Sequence, residues 1–255
     1  MKEIKLTLTI LYLSTFIIAA TVKAEDEVSA GVSADVMSKY VWRGQNVVDD
    51  RVLQPGAYVS YKNFTASFWG NLDLTDENGF EGEFSEIDLI FDYSSQVPGI
   101  DFLSYSLGFI NYDFPVNGGA DDTWEIYWGL GLDVPANPSV TVYHNVDEAA
   151  GTYVSFDIGH SFENAIELGP DTRLGVDLSA GLCWGSSGYN KTYWAVDKSA
   201  LNDLVLSAAF PFEVAGFTVT PSVNYITLMD DDIRAPNTYG QNDMWIVKVG
   251  FSKDF

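Results

Sequence analysis

Charged side chains at alternate positions are the residues of this sequence whose types and spacing could do chemistry. Glu86 and Asp88 are two residues apart, and Asp157 and Asp177 hold the same phase in later segments. Carboxylates and basic groups that line a wet passage set up a field that orients polar solutes. The candidate residues for such a lining are Lys39, Arg43, Glu86, Asp88, Glu125, Asp157, Arg173, Asp177 and Lys248.

Covalent catalysis and cofactor or metal binding find little support. His144 and His160 are the two histidines, and both hold the apolar phase of their segments, as Phe162 does. Nucleophilic catalysis needs a base beside a nucleophile, and no such pairing accompanies either histidine. We predict no enzymatic activity, no cofactor and no metal. The acidic runs 121–122 and 230–232 lack calcium-loop spacing and are interpreted as solvated loops, with divalent bridging to lipopolysaccharide phosphates as the alternative.

Long strands with one apolar side must carry these charges. From Val28 to Trp42, and again from Met244 to Phe255, apolar residues recur at every second position. Soluble strands usually run about 5–6 residues, whereas tilted membrane strands need about 9–11. A closed barrel would give the terminal strand a partner on each edge; a soluble β-sandwich is the alternative for this stretch alone. The aromatic end, Phe255, is similar to the signal that outer-membrane barrels present to their assembly machinery.

Twelve alternating segments predict an all-β fold, a single antiparallel up-and-down transmembrane β-barrel with ten or fourteen strands as alternatives. Short turns on one side alternate with longer loops on the other, apart from a short loop at 147–151 and a long turn at 163–171. The predicted strands are 28–42, 52–62, 64–74, 84–95, 101–112, 123–134, 139–146, 152–162, 172–184, 203–212, 217–228 and 244–255.

Residues 1–24 have the features of a signal peptide, which leaves 25–255 for the barrel. Two lysines precede an apolar run, and Val22-Lys23-Ala24 offers a small-x-small cleavage site. The net charge of −23 disfavours nucleic acid as a partner, because no basic patch exists to displace counterions from phosphates. One cysteine, Cys183, excludes an internal disulfide.

Two interpretations of the charged interior stay open. Lys39, Arg43 and Lys248 lie on the first and last predicted strands, away from the carboxylates, so they could form the basic wall of a transverse field. Alternatively, the same charges pair and seal a narrow lumen, since a twelve-strand bore lies between filled eight-stranded barrels and open porins. The segment 185–202, with Tyr189, Tyr193 and Trp194, is a candidate constriction loop. Inward aromatic residues such as Trp69 could also stack against sugars.

The stretch Ser38-Lys-Tyr-Val-Trp-Arg-Gly-Gln45, followed by Phe68-Trp-Gly-Asn-Leu72, resembles the opening of the TorF-type outer-membrane porin family. Looser matches, such as Pro221-Ser-Val-Asn-Tyr225, extend over nearly the whole chain after residue 24. The resemblance implies an outer-membrane barrel of unestablished substrate. Within it, Arg43 could pin the first loop against carboxylates of the lumen, or could simply cap the strand.

The sequence therefore predicts a porin-like channel of the bacterial outer membrane. We expect passive diffusion of small polar solutes with a mild cation preference, and as partners outer-membrane lipid, lipopolysaccharide and the barrel-assembly machinery. The alternative is a closed structural or adhesin-like barrel whose lumen is sealed by salt bridges.

Overall fold

The computed structural model describes residues 28–116, 122–147, 150–167, 169 and 173–255. The predicted signal peptide lies outside these residues. The elements in chain order are β1 (Val28–Met37), β2 (Tyr40–Trp42), β3 (Gln45–Val48), β4 (Val52–Tyr61), β5 (Phe64–Asp73), β6 (Phe84–Val97), β7 (Ile100–Asp113), β8 (Thr123–Leu132), β9 (Ser139–Asn145), β10 (Thr152–Glu167), β11 (Arg173–Gly185), α1 (Ser187–Trp194), β12 (Ala200–Ala209), β13 (Phe212–Val214), β14 (Phe217–Leu228), α2 (Asp231–Arg234) and β15 (Asp243–Asp254). Within the described ranges, no helix has the length and apolar character needed to cross a membrane.

The strands form one closed antiparallel barrel, which confirms the predicted fold class. Each wall strand pairs with its neighbour in sequence, and β1 pairs with β15 to join the two ends, with Val36 opposite Val249. Strands β12 and β13 together form one wall strand interrupted at Phe210-Pro211, so the described residues make a wall of twelve strands. The prediction that the terminal strand needs a partner on both edges is therefore confirmed.

The two faces of the wall differ in the way that the alternation predicts. Apolar side chains point outward and stay exposed, as Trp128, Phe156 and Trp245 do, while the other phase points inward. An exterior of large exposed hydrophobic side chains all around a barrel matches hydrocarbon, because water would penalise so wide an apolar surface. Inward residues such as Asp88 and Glu125 keep their charge away from that surface.

The prediction of one uninterrupted strand from 28 to 42 is wrong. Strand β1 ends at Met37, where the amide of Ser38 donates to the carbonyl of Val247 and the Ser38 hydroxyl accepts from the Val247 amide. The chain then turns into the barrel as the hairpin β2–β3, here called the plug hairpin (residues 40–48). Its consecutive residues Tyr40 and Val41 are both buried. The apolar alternation of the sequence therefore does not show that this segment leaves the wall.

The turns also differ from the prediction in extent. Strand β10 continues to Glu167, inside the range 163–171 that was predicted to be a turn. Strands β6 and β7 likewise extend until Pro98-Gly99 alone separates them. Longer strands satisfy more backbone hydrogen bonds within the wall, and membrane hydrocarbon would offer those groups no other partner.

Candidate functional site

The centre of the lumen is occupied by Arg43 at the tip of the plug hairpin. Arg43 and Gly44 form its two-residue turn with φ of 48° and 81°, the left-handed pair that a tight hairpin turn requires. The Arg43 Nη1 donates to Glu125 Oε1 at 2.8 Å, and Nη2 donates to Glu125 Oε2 at 2.6 Å. The two side chains are 2% and 1% exposed, so this bidentate pair is removed from water.

Aromatic rings surround the Arg43 guanidinium on its faces. Its central carbon lies 4.6 Å from the ring centre of Trp42, 4.4 Å from Tyr143 and 4.7 Å from Tyr153. Cation–π contacts at such distances are strengthened where the cation is desolvated. The hydroxyl of Tyr112 donates to Glu125 Oε2 at 2.8 Å, which completes the surroundings of the carboxylate.

The base of the plug hairpin is held by the strands on either side of its entry point. The Tyr40 hydroxyl donates to Glu86 Oε2 at 2.9 Å, and the Tyr40 ring packs against Trp69 with ring centres 5.6 Å apart. Trp69, an inward aromatic residue that could have stacked on sugars, is thus covered by the hairpin. Asp88 is buried beside Glu86, and its Oδ1 has no hydrogen-bond partner among the described residues.

Helix α1 lies across the outer mouth of the barrel. Ser186 caps its first turn by accepting from the Tyr189 amide, and the buried Asn190 donates to the carbonyls of Gly185 and Lys198. The Tyr189 ring centre lies 5.1 Å from that of Tyr153 on the barrel wall. The helix therefore packs directly on Tyr153, one of the three rings around the Arg43 guanidinium.

The three aromatic residues of the predicted constriction segment all lie on this helix. Tyr189 and Trp194 are buried, Tyr193 is half-buried with its ring centre 5.3 Å from that of Trp42, and Trp194 packs on Tyr239 at 5.0 Å. Helix α1 thus contacts both the plug hairpin and the loop 229–242. Helix α1, the plug hairpin and the loop 229–242 therefore meet above the Arg43–Glu125 pair.

Ion pairs connect the outer loops above the plug. Lys198 contacts Asp230 at 2.9 Å and Asp232 at 2.8 Å, so two residues of the acidic run 230–232 are paired with a lysine. A hydrogen bond from Lys198 lowers the pKa of Asp230 below its ordinary value. Lys39, a candidate lumen residue, lies between β1 and β2 and contacts Asp49 and Gln241 of these loops.

The remaining basic candidates, Lys248 and Arg173, lie on wall strands. Lys248 projects inward from β15 and contacts Asp35 at 3.1 Å, across the seam between the first and last wall strands. Arg173 is exposed at the inner end of β11 and lies 3.7 Å from Glu167. The basic candidates are therefore distributed over the height of the molecule, and each has a carboxylate nearby.

The inner half of the lumen is lined by small, hydroxylic and acidic residues. Asp157 packs over Gly181 and its Oδ2 accepts from the Ser155 hydroxyl, while Asp177 lies further toward the inner end. The smaller inward side chains at this level include Ser33, Ser67, Ser106, Thr141, Ser179, Ser207 and Ser222. Several of these polar side chains, among them Ser67, Thr141 and Ser222, are themselves buried.

Several residues of the closed region were missed by the charge-based candidates. Tyr112, Tyr143 and Tyr153 surround the Arg43–Glu125 pair, and Asp203 accepts from the Tyr153 hydroxyl at 2.9 Å. The signal was available, because all three tyrosines hold the inward phase of their strands. Across the described residues, no group of three or more histidine, cysteine or acidic side chains is placed to hold a metal ion.

Solved structures of outer-membrane proteins are similar to this chain at low sequence identity. An outer-membrane channel from Pseudomonas putida F1 is similar with a TM-score of 0.48 and 12% identity, over 93% of this chain and 98% of that one. OmpF of Salmonella typhi, in complex with daunomycin, gives 0.38 and 9% over 90% and 97%. DcaP, an outer-membrane channel of Acinetobacter baumannii, gives 0.35 and 11% over 91% and 98%.

No family model and no curated protein sequence matches the chain. The similarity of residues 38–45 to the TorF-type porins therefore stays a resemblance of sequence.

Proposed function

We propose that this protein is a porin-like channel of the bacterial outer membrane whose outer half is closed by the plug hairpin and helix α1. In its open form it passes small polar solutes by passive diffusion, with a mild preference for cations. Export by the predicted signal peptide and assembly through the strand that ends at Phe255 belong to the same proposal. The lipid-facing exterior and the polar inner half support it.

The observation that carries this proposal is the independence of the wall from the plug. Strand β1 pairs with β4 along its whole length, from Val28 opposite Tyr61 to Met37 opposite Val52. The plug hairpin forms a separate two-stranded sheet that, in the part of the chain the structure describes, pairs with no wall strand. Its withdrawal would break side-chain contacts, including the hydrogen bonds of Tyr40 and Arg43, but no backbone hydrogen bond of the wall, which suits a part that moves.

The charge of the inner half supports a cation preference. Asp92, Asp157 and Asp177 project inward there, and Lys248 contacts Asp35 at the seam between the first and last wall strands. Carboxylates in a confined aqueous passage raise the local concentration of cations and lower that of anions. The preference is mild because Lys248 offsets part of this charge beside Asp35.

A sealed structural barrel is the second candidate, and the burial of Arg43 against Glu125 favours it. Separating a buried pair and leaving one charge unpaired costs about 3–5 kcal/mol. If withdrawal of the hairpin left the Arg43 charge unpaired within the lumen, the barrel would stay closed. If it leaves into water, the Arg43 charge is rehydrated and the cost is smaller.

The test is conductance in a planar lipid bilayer. One protein is the natural chain, and the other has residues 40–48 replaced by a short glycine–serine linker. We expect steady openings from the second protein, with a reversal potential under a KCl gradient that indicates cation selectivity. The absence of conductance from both proteins would exclude the channel and favour the sealed barrel, whereas anion selectivity would refute the role given to the inner carboxylates.

A further inference from the structure

We infer that the wall pocket around Arg43 is a binding site for external guanidinium compounds. This pocket, called here the guanidinium site, is formed by Glu125, Tyr112, Tyr143 and Tyr153. Arg43 is its internal ligand, supplied by the plug hairpin. An alkylguanidinium, or the side chain of an arginine-containing solute, is the class of ligand that the site accepts. Its occupation from outside would compete with the plug.

The site recognises the shape of a guanidinium as well as its charge. Glu125 accepts the two terminal nitrogens in parallel at 2.8 and 2.6 Å, which fits the planar fork of a guanidinium. The rings of Tyr143 and Tyr153 lie 4.4 and 4.7 Å from the guanidinium carbon, within the range of cation–π contacts. An ammonium ion is a point charge and makes no such two-point contact, so it should bind more weakly.

The wall holds this site in place without help from the plug. Tyr112, Glu125, Tyr143 and Tyr153 belong to four successive strands, β7 to β10, and Tyr143 pairs directly with Tyr153 in the ladder. Hydrogen bonds orient the polar groups: Tyr112 donates to Glu125, and Tyr153 donates to Asp203. A pocket with fixed walls binds at a lower entropic cost than one that must form around its ligand.

The backbone at Arg43 indicates that its side chain is retained for this pocket. With φ of 48°, the position favours asparagine or glycine, and Asn-Gly is the preferred sequence for such a turn. Arginine gains nothing locally from this conformation, and strain of this kind is typical of functional positions. Its Nε also lacks a hydrogen-bond partner among the described residues, so the hydrogen bonds of the internal ligand come from its two terminal nitrogens.

The tether decides how an external ligand competes. A tethered group acts at an effective concentration that is typically millimolar for short connections. We therefore expect the natural protein to resist low concentrations of external guanidinium, and a variant without the Arg43 side chain to bind it readily. Opening of the lumen by the competing ligand rests on the proposed channel function, whereas binding to the site does not.

The experiment is titration calorimetry with ethylguanidinium on purified protein in detergent. Arg43→Asn keeps the turn and empties the site, and Arg43→Gly is a second variant that fits the same backbone. Both should bind one ethylguanidinium per chain, at least tenfold more tightly than ethylammonium. Arg43→Asn combined with Glu125→Gln should lose this preference, and Arg51→Asn, which removes an exposed arginine, should behave like the natural protein.

Equal binding of ethylguanidinium and ethylammonium by the Arg43 variants would overturn the inference. So would a preference for ethylguanidinium that survives in the combined Arg43→Asn and Glu125→Gln variant. Absence of binding in both Arg43 variants, with the barrel shown to be folded by its heat-dependent migration on a gel, would overturn it as well. Conductance measurements test the proposed channel function separately from the guanidinium site. Binding without any channel activity refutes the channel alone, and channel activity without binding refutes the site alone.

Discussion

Arg43 and Glu125 meet across the lumen although they are 82 positions apart in the sequence. One is at the tip of a hairpin that shares no hydrogen-bond ladder with the wall, and the other is on wall strand β8. Their bidentate contact therefore fixes a separate part to the barrel. Changes on either side of this contact should affect the plug before they affect the wall.

Glu125→Gln should release the plug hairpin without unfolding the barrel. The amide cannot compensate the buried Arg43 charge, which would cost about 3–5 kcal/mol if the side chain stayed in place. Because the hairpin is not part of the wall sheet, it can leave the lumen, and the Arg43 charge then reaches water and avoids most of this cost. Hydrogen exchange followed by mass spectrometry should show faster exchange in residues 40–48 and unchanged exchange in β8.

Arg51→Asn is the control for that measurement, because Arg51 is exposed beside Asp50. Its exchange pattern should match that of the natural protein. Equal protection of residues 40–48 in Glu125→Gln and the natural protein would show that the ion pair does not hold the hairpin.

Gly44→Ala should destabilise the plug hairpin by about 1–3 kcal/mol, the typical cost of an unfavourable backbone conformation. Gly44 has φ of 81°, and an added Cβ would lie 2.7 Å from Leu228 Cδ2. Gly79 has φ of 83° with nothing within 4 Å, so Gly79→Ala carries the strain without the contact. Faster exchange of residues 40–48 in Gly44→Ala but not in Gly79→Ala is the expected result; identical behaviour of the two variants would contradict it.

Gly151→Ala should displace helix α1 from the mouth of the barrel. An added Cβ at Gly151 would lie 2.3 Å from the backbone nitrogen of Tyr189, which cannot yield by rotating a side chain. The expected outcome is faster amide exchange of residues 189–194. Gly169→Ala, at an exposed position with no atom of the described residues within 4 Å, is the matched control and should leave the helix unchanged. Unaltered protection of α1 in Gly151→Ala would mean that the helix does not pack on this glycine.

The alternation of the sequence predicts the wall because lipid and water select side chains at every second residue. It predicts the plug poorly, because Tyr40 and Val41 are buried on both sides inside the lumen and no phase is then selected. The Arg-Gly pair predicts a contact with lumen carboxylates, and Arg43 contacts Glu125. The choice of Glu125 as its partner depends on the tilt of the wall and the reach of the hairpin, which a single sequence does not contain.

The contact between Lys198 and Asp230 should keep the outer loops together down to about pH 4 and release them below it. The pKa of Asp230 is lowered in the folded protein, so its contribution is present above the unfolded value of about 3.9 and is lost as the pH falls through the lower folded value. Both groups are near the surface, and salt should weaken the contact. Amide exchange of residues 229–235, compared between pH 6 and pH 3 and corrected for the intrinsic pH dependence, measures this. Lys198→Met should remove the difference, and a persistent difference would assign it to another group.

The most direct test of the removable plug is the open probability of single channels formed by Arg43→Asn and by the natural protein in the same bilayer. This substitution suits the hairpin turn and removes the guanidinium. The account predicts a closed natural protein and an Arg43→Asn protein that opens at least tenfold more often, with Arg51→Asn indistinguishable from the natural protein. Equal open probabilities for Arg43→Asn and the natural protein would contradict it.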